Sequence, residues 1–123
     1  LFVLANQHRG IVKSYGKVDY IILDSPIILS LTYKNYYKTD QYPATLYGET
    51  FDKMLLEIHN QYDNINIVLE RGEGIHNNNE RYQDLKQSIE LDKVIEETLK
   101  LHELPYHKIK VDDDTLTNIL NLI

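Results

Sequence analysis

Three polar clusters in this sequence carry side chains able to do chemistry, and each follows an apolar run. Asp24-Ser25-Pro26 follows residues 18–23, Glu70-Arg71 follows residues 65–69, and Asp112-Asp113-Asp114 follows residues 107–111. In open parallel sheets ligands gather outside the carboxyl ends of strands, which is where these clusters would lie. A carboxylate there can hold Mg²⁺ through water or take the proton of an attacking hydroxyl, and phosphoryl transfer uses both. Asp24 has a second reading, as a cap that accepts a backbone N–H of the following helix. Arg71 and Arg81 bracket the glycine- and asparagine-rich segment 70–80. Guanidinium forks on a closing lid suit the charge of a transferring phosphoryl group, and solvated surface arginines are the plainer alternative. The three aspartates read as a cap with favourable helix-dipole charge. The five histidines form no HExxH pair, Ser25 lies outside any GxSxG, and no GxxxxGK[ST] segment occurs in the 123 residues. Zinc hydrolase and serine hydrolase readings therefore find no support.

The elements that would position these residues follow from apolar spacing. Leu1, Leu4, Ala5, Ile11 and Val12 fall near one face of a first helix that ends by Tyr15 and Gly16, where glycine allows a left-handed exit. Residues 18–23 run almost continuously apolar, the pattern of a strand buried on both faces. A short helix is predicted from Pro26 to Tyr33, then a tyrosine-rich loop over 34–47. Phe51, Met54, Leu55 and Ile58 predict a helix over 49–62. Residues 65–69 predict a second buried strand, 70–82 a lid-like loop, and 82–102 the longest helix, with Leu85, Ile89, Val94, Ile95 and Leu99 inward. A strand over 107–111 and a helix over 115–123 complete an alternation that specifies an α/β parallel sheet with flanking helices.

The length suits a single domain over residues 1–123, and 42% hydrophobic content gives it a modest core. A net charge of −6 argues against an extensive nucleic-acid surface or a grip on an anionic membrane. The absence of cysteine excludes disulfides and thiolate metal sites. No run is apolar enough to span a bilayer, so a cytoplasmic location is expected. Of ten tyrosines, Tyr33, Tyr36, Tyr37, Tyr42 and Tyr47 crowd one region, either a binding lip or a half-buried loop.

The segments LANQHRGI, VDYIILDSPIILSLTY and RGEGIHNNNERYQDLKQSIELDKVIEETL, in this order, resemble the C-terminal two-thirds of phage-type P-loop NTPases. These are related to nucleoside and nucleotide kinases and are grouped as AAA-family ATPase or kinase-like. The resemblance spans nearly the whole chain and is weakest over 34–62. It implies a three-layer kinase-like fold and a catalytic set of Asp24, Arg71 and Arg81. Asp24 would be the Walker B-like carboxylate for Mg²⁺, with Ser25 beside it as a metal-site residue, or else the general base. Gln7 and Arg9 would border the acceptor site, and Gln83 would join them on the segment Arg81-Tyr82-Gln83-Asp84 that opens the long helix. ATP and Mg²⁺ are the implied cofactors, and a nucleotide with a small acceptor the implied partners, in the host cytoplasm if the protein is phage-encoded.

Family members carry a first strand and phosphate loop ahead of the part represented here. In their sheet order, 2-3-1-4-5, that strand separates the ones formed here by 18–23 and 65–69. Without it, both strands would expose unpaired backbone groups, each costing on the order of 1 to 3 kcal/mol if buried, against a domain stability of about 5 to 15 kcal/mol. The chain is therefore expected to be part of a longer or split protein, completed by an N-terminal segment or a partner chain and inert without it. The rival expectation is a non-catalytic, degenerate kinase-like protein that binds a partner chain.

Overall fold

The computed structural model describes residues 2–37, 48–72 and 84–123. They fold as α1 (Phe2–Ser14), α2 (Leu29–Tyr36), α3 (Gly48–Asn60), β1 (Ile67–Glu70), α4 (Leu85–Leu101), β2 (His107–Lys110) and α5 (Thr115–Leu120). Two compact units result, Leu1–Asp63 and Asn64–Ile123. The expectations for Arg81, Gln83, Tyr42, Tyr47 and the lid-like loop beyond Gly72 lie outside the described residues.

The first unit is helical. Leu4 and Ile11, two turns apart on α1, are buried, whereas Ala5 and Val12 of the expected face are exposed. The helix stops as its spacing predicts, with Gly16 in the left-handed region at φ +74°. A tight turn precedes α2, in which Leu29 N donates to Pro26 O and Ser30 N to Ile27 O, both at 3.0 Å. The helix then continues to Tyr36, three residues into the stretch expected to be loop. Ile27, Ile28, Leu31 and Thr32 are all buried, and this packing outweighs the polar sequence that follows. On α3, Phe51, Leu55 and His59 share one buried stripe, while Met54 is at the surface. His8 Nε2 lies 3.0 Å from Tyr62 Oη, Tyr15 packs edge-to-face on Tyr62, and Lys34 forms an ion pair with Asp52, so α1 and α2 are both tied to α3 and the turn after it.

Residues 18–23 are not a strand. They run without regular structure, and Val18, Tyr20, Ile21, Ile22 and Leu23 are all exposed, Ile22 to 93%. A strand exists only through its ladder, and among the described residues no segment pairs with this one. Apolar, β-branched composition is therefore insufficient here.

The second unit is a β–α–β arrangement, with parallel pairing from Ile67↔His107 to Glu70↔Lys110 and α4 as the connection. The expected α/β class with parallel strands and flanking helices is present in this small form. Burial of β1 on both faces is not, since Leu69 is half exposed, whereas Ile109 of β2 is buried. Helix α4 begins in a capping box, in which Gln87 N donates to Asp84 Oδ1 at 2.8 Å and Asp84 N donates to Gln87 Oε1 at 3.0 Å. Its buried stripe runs through Ser88, Leu91, Thr98 and Leu99; Leu99 is inward as expected and Val94 and Ile95 are half-buried, but Leu85 and Ile89 in the first turns face solvent.

Candidate functional site

The sequence-predicted residues that are described fall in both units, and each group is built differently. In the first unit, the chain leaves the exposed segment 18–23, bends at Asp24 and Ser25, and enters the turn before α2. Gln7, half-buried on α1, donates from Nε2 to the Ser25 carbonyl at 2.8 Å. That bond ties the bend to the helix. It also sets the amide's orientation, because only the NH₂ end can serve a carbonyl. The cost is a Gln7 Oε1 that is buried with no donor among the described residues. Gln7 thus holds the bend in which Asp24 sits. Arg9, its expected companion, is exposed on α1 and forms no ion pair among the described residues.

Asp24 itself is exposed, and among the described residues no donor or cation pairs with it. The helix-cap reading of this residue is not met. The N-cap of α2 is Ile28, four positions on, and it has no side-chain cap hydrogen bond. What remains is a carboxylate that no described residue pairs with, next in sequence to the Ser25 hydroxyl.

In the second unit, Arg71 directly follows β1, where the parallel-sheet rule places ligand-binding groups. It is not a loose surface arginine. Its Nε donates to Asp92 Oδ2 at 2.6 Å and its Nη2 to Asp92 Oδ1 at 3.2 Å, a side-on fork reaching across to α4. This hydrogen bonding raises the guanidinium pKa further, so Arg71 keeps its charge at every accessible pH. Asp92 escaped the sequence reading because it lies 21 residues away in the middle of a helix, where an aspartate looks like ordinary solvated surface.

Of the three aspartates after β2, Asp112 is the one whose side chain fastens the local turn. Asp112 Oδ1 accepts from Asp114 N at 3.0 Å, and Asp112 N donates to Thr115 Oγ1 at 2.7 Å, which fastens the turn into α5. Asp114 holds the N-cap position without a side-chain bond. No group of three or more acidic or histidine side chains able to hold a metal gathers among the described residues. Among them, too, no helix is long and apolar enough to cross a membrane.

Parallel strands joined through a helix, with an arginine fixed by α4 at the carboxyl end of the first, make a small α/β unit. A family model described as an AAA domain matches residues 3–114, and the chain belongs to that family. No curated protein and no solved structure matches it.

Proposed function

We propose that this chain belongs to a P-loop kinase-like protein for ATP-dependent phosphoryl transfer to a nucleoside, nucleotide or similar small acceptor. The observation that carries the reading is Asp24, an uncommitted carboxylate on a bend held in place by Gln7. A single carboxylate is a chemically admissible Mg²⁺ ligand, since that ion is commonly held by one or two carboxylates and otherwise keeps water and phosphate oxygens. When bound there, Mg²⁺ would neutralise charge on the transferring phosphate. Asp24 would hold it, with Ser25 adjacent, and in a metal-free role the same carboxylate could accept the proton of an acceptor hydroxyl. For ATP the fit is incomplete, because the 123 residues contain no GxxxxGK[ST] loop. Arg71 is the phosphate-directed group they do offer. Gln7 acts by positioning, and Arg9 would face the acceptor.

The test uses Mn²⁺ as a paramagnetic probe on the full chain, with and without ATP. Line broadening centred on the amides of residues 24 and 25, and lost in Asp24→Asn, is the expected result. Equal broadening in the variant would reject Asp24 as the metal carboxylate.

A second reading, a non-catalytic kinase-like protein that binds a partner chain, is favoured by the exposed apolar segment 18–23. It wins if Asp24→Asn changes neither metal response nor activity while Ile22→Lys abolishes a defined complex.

A further inference from the structure

The contact between Arg71 and α4 has a geometry that decides what the arginine can still do. Asp92 takes the guanidinium from the side, through Nε and Nη2. The other edge, both protons of Nη1 and the second proton of Nη2, has no acceptor among the described residues. The side chain is 28% exposed, so the fork with Asp92 does not take it wholly out of solvent. Arginine ordinarily loses much rotamer freedom on binding, and a carboxylate that fixes the plane beforehand removes that cost. The planar fork also suits two oxygens of a phosphate.

We propose that Asp92 is a positioning residue that aims the free edge of Arg71 at the oxygens of a phosphate or polyphosphate anion at the carboxyl end of β1. The proposal deepens the kinase-like reading and rests on it for the identity of the anion. An electrostatic objection sharpens it. Asp92 brings a negative charge near the anion, so if charge alone ruled, removing it would strengthen binding. Positioning predicts the opposite sign.

The experiment titrates pyrophosphate into the full chain while following the Arg71 Nε–Hε resonance by NMR. In the unaltered chain that proton is expected to be protected from exchange, because it is committed to Asp92, and to shift saturably with pyrophosphate. Asp92→Ala should abolish the protection and weaken pyrophosphate binding about tenfold. Asp92→Asn keeps an acceptor oxygen at the same place and should fall between, and Asp92→Glu should restore part of the loss. Arg71→Ala should remove the response. Tighter binding in Asp92→Ala would overturn the proposal, showing competition for the arginine, and so would unchanged binding or the absence of any shift in the unaltered chain. The Asp24 experiment reads a different unit with a different probe. A failure there with success here would leave an anion site and reject Asp24 as the metal carboxylate.

Discussion

His59 is a polar residue on the buried stripe of α3, only 6% exposed, and its burial pushes the imidazole pKa below the usual 6.5. In the unfolded chain the ring takes up a proton near its ordinary value, whereas in the folded chain it resists until lower pH. Stability from this residue is therefore intact above about pH 6.5 and falls as pH drops below it, by at most about 1.4 kcal/mol per pH unit. A thermal melt series from pH 7 to pH 5 should show the midpoint falling, and His59→Gln should flatten the slope across that window. Glu96 acts lower on the scale. Hydrogen bonds from Lys108 and then Tyr106 hold its carboxyl below its normal value, so its contribution survives above the normal carboxylate range and disappears in stronger acid. At this scale the sequence was legible in the position of Arg71, directly after a strand. It was not legible where the partner is distant in sequence, as with Asp92, or where a titratable group occupies an apolar stripe, as with His59.

Helix ends carry the clearest local energetics. At the C-terminal end of α4, Glu103 N donates to Lys100 O at 3.1 Å and Leu104 N to Leu99 O at 2.9 Å, which is the Schellman pattern. The position that this pattern usually gives to glycine is held by Glu103 at φ +53°. A left-handed L-residue costs roughly 1 to 2 kcal/mol, so Glu103→Gly should stabilise the second unit by about 1 kcal/mol, after allowing for glycine's extra unfolded-state freedom. Chemical denaturation would read this as a higher midpoint at unchanged slope. At the other end of α4, Asp84→Ala should cost about 0.5 to 2 kcal/mol, since it removes the capping-box acceptor. Most elements were readable from spacing because helical periodicity and glycine exits are local properties. Residues 18–23 were not, because a strand depends on a ladder partner that composition cannot supply. The departure in the first turns of α4 has the same origin: Ser88, small and polar, is buried by the packing around it, while Leu85 and Ile89 face solvent, which no periodicity of apolar residues announces.

Across the whole molecule, each unit has its own small core, and Leu55, fully buried on α3, anchors the first. Leu55→Ala should cost about 2 to 5 kcal/mol, a large share of the roughly 5 to 15 typical of a domain, and hydrogen exchange should accelerate over α3. The parallel class was readable from continuous apolar runs, while the extent of the sheet was not, because pairing is a property of the assembled chain. The β1–β2 pairing has one further consequence, for time. In this parallel arrangement Ile67 meets His107, and the whole of α4 lies between them in sequence. During synthesis at roughly 5 to 20 residues per second, β1 leaves the ribosome seconds before its mate exists, and in refolding the pair must await closure of a long loop. The capped helix α4, whose contacts are local, is the element able to form in that interval. The order in which the ribosome delivers this unit thus favours helix first and sheet last.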